Sequence, residues 1–142
     1  MIVLFDIDGT LADDSNRRPL LARDPPDWSQ YAAECDEDPL IYATADTLIA
    51  FHNIRYQIWL WTGRSDAVRD QTIQWLSKHA LPYNQLLMRP HGDERKAETL
   101  KQQWLNTVVP KDLVQCAYDD NPGIIKMLTD NGITAYQVHQ GV

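Results

Sequence analysis

Ile2, Val3, Leu4 and Phe5 follow one another with no polar residue between them. A strand with one wet face alternates apolar and polar residues, so an unbroken apolar run needs cover on both faces, as in the interior of a parallel sheet. The rest of the chain supplies partners for such a strand. Tyr56 to Trp61, Leu86 to Met88, Val114 to Tyr118 and Ile133 to Val138 are four further short apolar runs rich in strand-forming residues. Between them lie segments with helical spacing: Leu40 to Asn53, a stretch capped at Ser65 or Asp66 and running to about His79, Asp93 to Asn106, and a helix opened by Asn121-Pro122 and stopped by Asn131-Gly132. Strands alternating with helices predict an α/β fold with a five-stranded parallel sheet, whose functional groups gather at the carboxyl ends of the strands.

Length and composition fit one domain over residues 1–142, since 142 residues with 44% hydrophobic content, five Trp and six Tyr are enough for one core. Ala12 to Pro39 interrupts the pattern with a polar, acidic, proline-bearing stretch, read as a small cap insert (12–39) carrying a short helix near Trp28 to Glu34. No apolar stretch approaches the length of a membrane span, and a start that reads as a strand rather than a basic, apolar leader points to the cytoplasm. Cys35 and Cys116 form neither a disulfide framework nor a zinc-like spacing with the four histidines. The formal charge of −7 disfavours a long nucleic-acid groove, which depends on many Lys and Arg contacts to phosphate. Eleven of the twenty acids fall between Asp6 and Asp46, which leaves the remainder nearly balanced and free to form a local basic pocket.

The first strand runs directly into Asp6-Ile7-Asp8-Gly9-Thr10. Carboxylates two apart on extended backbone point to the same side, with the Asp8 carbonyl nearby as a third oxygen. Such a pair calls for a hard cation such as Mg²⁺, or for one ionised and one protonated member. Later strands aim further groups at the same place. Thr62-Gly63-Arg64 offers a hydroxyl and backbone N–H groups suited to a phosphate oxygen, although Thr62 also fits ordinary helix capping. The third strand leads to Arg89, and the fourth ends in Asp119-Asp120, candidate metal ligands that also fit turn roles. Arg64, Arg89, Arg95, Lys96 and Lys101 supply the positive charge that a transferring phosphoryl group requires.

Taken together, Asp6-Ile7-Asp8-Gly9-Thr10, Thr62-Gly63-Arg64, a downstream lysine and Asp119-Asp120 resemble the four-motif pattern of the haloacid dehalogenase (HAD) superfamily across nearly the whole chain. More narrowly, the chain resembles the 3′-phosphatase domains of bacteriophage polynucleotide kinase-phosphatases. An Arg soon after the first motif would be Arg18, with Arg17 as its rival, and Gly92-Asp93-Glu94-Arg95-Lys96 precedes the motif lysine, Lys101 on that register with Lys96 as the alternative. Ala97 stands where those domains carry an Asp, with Glu98 one position later. The resemblance implies a three-layer HAD-like fold and a Mg²⁺-dependent phosphatase. Asp6 would be the nucleophile and Asp8 the proton shuttle, with Thr62 and Lys101 completing the catalytic set. Arg18, Gly63, Arg64 and Arg89 would bind substrate, and Asp6, Asp8, Asp119 and Asp120 would hold the metal. No Gly-x-x-x-x-Gly-Lys-Ser/Thr phosphate loop occurs, so no kinase activity is expected.

The favoured substrate is a nucleic-acid 3′-phosphate end or a nucleoside 3′-monophosphate, because an insert of about thirty residues cannot fully enclose a small metabolite. Trp28 and Tyr31 in the insert are candidates for stacking on a base, or else form the packing face of its helix. The alternatives are a nucleotidase acting on free 5′-nucleotides and, from another class, a noncatalytic module that binds phosphate ends.

Overall fold

The structure is a computed structural model that describes residues 1–139. Its five strands, β1 (Ile2–Phe5), β2 (Gln57–Ser65), β3 (Gln85–Arg89), β4 (Val114–Asp119) and β5 (Ala135–Gln137), form one sheet in the order β3-β2-β1-β4-β5 with every pairing parallel. The unbroken apolar run is therefore the central strand, with all four of its residues buried.

Its side chains divide between two cores. Val3 and Phe5 join Ile58, Leu60 and Cys116 beneath helices α2 (Tyr42–Asn53) and α3 (Arg69–Lys78), which contribute Ala45, Leu48, Trp75 and Leu76. Ile2 and Leu4 join Trp61 and Ala117 on the other face, beneath α4 (Ala97–Thr107) and α5 (Pro122–Asp130), which contribute Leu100, Trp104, Leu105, Ile124 and Leu128. Period-two alternation within the strands thus feeds both layers, and each fully buried large aliphatic contributes about 1.5–3 kcal/mol. Both cysteines are free and buried, and no helix among the described residues is long and apolar enough to cross a membrane.

Several boundaries differ from the sequence reading. β2 does not end at Thr62-Gly63 but continues to Ser65, because Thr62 pairs with Met88 and Ser65 with Arg89 while Gly63 and Arg64 bulge out of the ladder. Bulges of this kind re-aim side chains, and this one turns Arg64 toward the end of β1. Ser65 caps a 3₁₀ turn, Asp66–Val68, so α3 proper starts at Arg69. α4 starts at Ala97 rather than Asp93, since the Asp93 carboxylate accepts a hydrogen bond from the Arg95 N–H at 3.0 Å and holds residues 93–96 as a loop. β5 is shorter than expected, although Ile133 still packs into the second core. Asn121 caps α5 through the Gly123 N–H at 2.8 Å, as the Asn-Pro signal predicts.

The segment from Ala12 to Pro39 folds over the carboxyl end of the sheet as a 3₁₀ turn (Arg18–Ala22), helix α1 (Trp28–Ala33) and a second 3₁₀ turn (Cys35–Glu37). It is tied to α3 by the indole N–H of Trp75, which donates to the Asp38 carbonyl at 2.8 Å.

Candidate active site

β1 delivers Asp6 and β4 delivers Asp119 to adjacent positions at the carboxyl edge, because the two strands are hydrogen-bonded neighbours with Phe5 opposite Tyr118. One carboxylate oxygen each from Asp6, Asp119 and Asp120 lies within 4.8 Å of the others. Lys101 reaches this group from α4. Its Nζ donates to Asp6 Oδ1 at 3.0 Å and Asp119 Oδ2 at 2.8 Å, with the side chain buried to 2% exposure. The ammonium also lies 5.2 Å from the centre of the Trp61 ring. Burial and the charge of Asp119 push the Asp6 carboxyl well above the usual range, even against the pull of Lys101. Burial and Asp119 likewise push Asp120 up to about 6. The two carboxylate partners hold the Lys101 ammonium charged despite the cost of burying it.

Gly9 is what lets Asp120 into this cluster. It takes φ +80°, and a Cβ built there would lie 2.0 Å from Asp120 Oδ2. Behind the cluster, the Asn121 N–H donates to Asp119 Oδ1 at 2.9 Å, and Glu98 accepts from the Asn121 side-chain amide at 3.3 Å. Glu98, one position after Ala97, thus braces the turn that carries Asp119 and Asp120.

Asp8 faces a different set of partners. Arg64 Nε donates to its two oxygens at 3.1 and 3.0 Å, Arg64 Nη2 to Oδ1 at 2.7 Å, and Arg17 Nη2 to the same Oδ1 at 2.7 Å. Burial alone would raise the Asp8 carboxyl, but the two guanidinium groups prevail and hold it below the ordinary carboxylate range. The Asp8 side chain is thus outside the oxygen cluster formed by Asp6, Asp119 and Asp120.

The arginines divide between the cleft, which Arg18, Arg64 and Arg89 line, and the frame behind it, which holds Arg17. Arg17, the rival, is the buried one: it pairs with Asp38 at 2.5 Å and 2.9 Å, donates to the Tyr31 carbonyl at 2.6 Å, and lies 4.2 Å over the Tyr31 ring. Arg18 is 47% exposed and reaches Asp14 at 2.8 Å and Asp120 at 3.5 Å. Arg64 is enclosed, with Nη1 on the Thr72 hydroxyl at 3.1 Å, so it orients Asp8 rather than standing free in the cleft. Arg89 also serves the frame: it donates to the Gly63 carbonyl at 2.8 Å and the Asp93 carbonyl at 3.1 Å, binding the bulge to the loop before α4. Thr62 is fully buried and its hydroxyl accepts from the Arg64 N–H at 3.0 Å, while Lys96 is exposed at the start of α4. Sequence reasoning did not single out Asp38 or Asp14. Neither belongs to a local motif, and each reaches the site because the insert folds back.

Asp6, Asp8, Lys101, Asp119 and Asp120 line one open cleft of about 1510 Å³, with Arg17 and Asp38 behind it. Three carboxylates and a lysine at one end, with an oriented fourth carboxylate beside them, are suited to holding a hard cation and exchanging a phosphoryl group. The all-oxygen donor set fits Mg²⁺, and the raised Asp6 and Asp120 carboxyls mark the burial and mutual repulsion that a cation would offset.

A family model described as the polynucleotide kinase PNKP phosphatase domain matches residues 1–142. Two solved structures, of a Pnkp1/Rnl/Hen1 complex and of the Pnkp1/Rnl/Hen1 RNA repair complex, superpose with TM-score 0.79 in each case, at 29% and 30% identity over 99% of this chain. The chain spans 46% and 42% of the length of those two solved chains. The class C acid phosphatase of Bacillus anthracis shares the fold at TM-score 0.67, with 15% identity over 96% of this chain and 66% of its own. A HAD-like sheet order, carboxylates at the ends of β1 and β4, and a match running the whole length agree: the chain belongs to the family of polynucleotide kinase PNKP phosphatase domains.

Proposed function

We propose that the chain is a Mg²⁺-dependent phosphomonoester hydrolase that removes 3′-phosphate from nucleic-acid ends or nucleotides through an aspartyl-phosphate. The observation that carries this reading is the meeting of Asp6, Asp119, Asp120 and Lys101 at the carboxyl edge of the sheet, with Asp8 held separately by two arginines.

A Mg²⁺ ion held by Asp6, Asp119 and Asp120 would supply positive charge against the phosphoryl oxygens. Asp6 attacks phosphorus and the bond to the alcohol oxygen breaks. Asp8 gives that oxygen a proton. A water then attacks the aspartyl-phosphate, the Asp6–phosphorus bond breaks, and Asp8 takes the water's proton, which restores both groups. In the free protein Arg17 and Arg64 keep Asp8 ionised, the form that acts as base. The negative charge of an arriving phosphate favours the protonated form needed for the first step. Lys101 and the Thr62–Gly63 segment take the phosphoryl oxygens, and residues 12–39 act as the cap.

Two findings support the choice of a nucleic-acid end. The cleft is larger than the roughly 300–1,000 Å³ of ordinary small-molecule sites, and the short cap leaves it open. The Pnkp1 structures come from a complex described as one of RNA repair. Phosphate release from 3′-phosphorylated oligonucleotides, 3′-nucleotides and 5′-nucleotides, with Mg²⁺ or with chelator, tests the proposal, and Asp6→Asn is the blank. Expected is Mg²⁺-dependent release, greatest on 3′ phosphates and absent in the blank. A tenfold preference for 5′-nucleotides would reassign the substrate.

A further inference from the structure

Two segments line much of the cleft. The loop before α4 gives it charged residues of both signs, Asp93, Glu94, Arg95 and Lys96, whereas residues 12–39 add to Asp14 and Arg18 the apolar surface of Leu21, Ala22 and Trp28. Trp28 is 63% exposed, far more than the other four tryptophans, two of which are fully buried. A helix that sought only to pack its aromatic pair would bury this indole.

The indole is nevertheless held. It meets the Tyr31 ring edge-to-face at 5.9 Å, and the Tyr31 hydroxyl donates to Asp14 at 2.5 Å. The guanidinium of Arg17 lies over the same Tyr31 ring and binds Asp8 at 2.7 Å. A contiguous chain of contacts thus runs from an exposed aromatic surface through Tyr31 and Arg17 to the carboxylate assigned as proton shuttle. Asp24 and Asp27 precede the indole in sequence, and this acidic stretch repels phosphate, so what it can offer a nucleotide is an aromatic surface.

We propose that Trp28 is a specificity residue that stacks on the base of the nucleotide carrying the scissile phosphate. The assignment rests on the nucleic-acid reading above. Lys96, exposed and lining the same cleft, is the cation available to an upstream phosphate. Because the base seats on the side chain that leads to Asp8, stacking places the sugar and its departing oxygen in register with the proton donor. An exposed aromatic of this kind is tolerant of base identity, since every base has a π-face.

The test compares Trp28→Ala, Trp28→Phe and the unaltered chain on three substrates: a 3′-phosphorylated oligonucleotide, the same oligonucleotide with an abasic 3′-phosphorylated terminal sugar, and p-nitrophenyl phosphate. Expected is a rise in KM of roughly tenfold for Trp28→Ala on the base-bearing end. Its constants on the abasic end and on p-nitrophenyl phosphate should stay unchanged, and Trp28→Phe should recover most of the loss. Unchanged rates on p-nitrophenyl phosphate also certify that the variant is folded. Equal KM for base-bearing and abasic ends in the unaltered chain, or equal losses on all three substrates in Trp28→Ala, would overturn the stacking role while leaving the phosphatase intact. Turnover of p-nitrophenyl phosphate with none on either oligonucleotide would overturn the nucleic-acid reading, and this assignment with it.

Discussion

Lys101 Nζ sits 3.0 Å from Asp6 Oδ1 across 95 residues of sequence, and 2.8 Å from Asp119 Oδ2, so one ammonium bridges the two buried carboxylates that β1 and β4 bring together. Lys101→Met leaves those acids without their cation. Removing one partner of a buried ion pair costs about 3–5 kcal/mol, and thermal unfolding without metal should show a loss on that scale. Phosphate release should fall by at least about a hundredfold, a typical cost of removing one preorganised stabiliser of transition-state charge. Added Mg²⁺ should restore part of the stability and none of the turnover.

Arg17 and Arg18 are adjacent in sequence and unequal in consequence. Arg17→Ala removes a buried guanidinium from Asp8, Asp38 and the Tyr31 carbonyl, so a stability loss of about 3 kcal/mol and a large fall in kcat are expected. Arg18→Ala removes a half-exposed side chain and should cost under about 1 kcal/mol. Denaturant unfolding and steady-state kinetics on the two variants check the contrast.

Gly9→Ala tests whether close approach of the first loop admits Asp120. The added Cβ would overlap Asp120 Oδ2, and a φ of +80° is unfavourable for alanine. The Mg²⁺ concentration giving half-maximal activity should rise roughly tenfold, one unit of 1.4 kcal/mol in metal binding. An unchanged Mg²⁺ titration would remove Asp120 from the metal set.

The loop before α4 makes a prediction about pH. Hydrogen bonds from the Arg95 side chain and N–H lower the Asp93 carboxyl to about 2. A carboxyl lowered by folding stabilises the structure above its unfolded value near 3.9, and that contribution fades as pH falls toward 2. NMR titration should place the Asp93 midpoint near 2, and Arg95→Gln should move it toward 3.9.

The strands and their type were legible because covered parallel strands read as short apolar runs, and the turns into helix at Ser65 and Asn121 carry their own capping side chains. Asp6, Asp8 and Asp119-Asp120 were legible because each is attached to the end of such a run. The start of α4 was misplaced because an acid–base-rich stretch reads as helix, whereas the Asp93–Arg95 turn competes locally and wins. The burial of Arg17 rests on Asp38, twenty-one residues away, and no local pattern encodes that contact. Arg64 and Arg89 were recognised as site cations, yet the structure assigns them to orienting Asp8 and fastening the bulge.

The central position of β1 also sets a sequence of events in time. Asp6 precedes its counter-ion, Lys101, by 95 residues, and β4, its neighbour in the sheet, lies further along still, so a ribosome releases Asp6 before either of them. Pairings between such distant segments form late, after the entropy of closing the intervening loops has been met. The carboxylate proposed as nucleophile therefore emerges ahead of the groups that surround it, and a nascent chain that stops short of β4 carries that carboxylate without its setting.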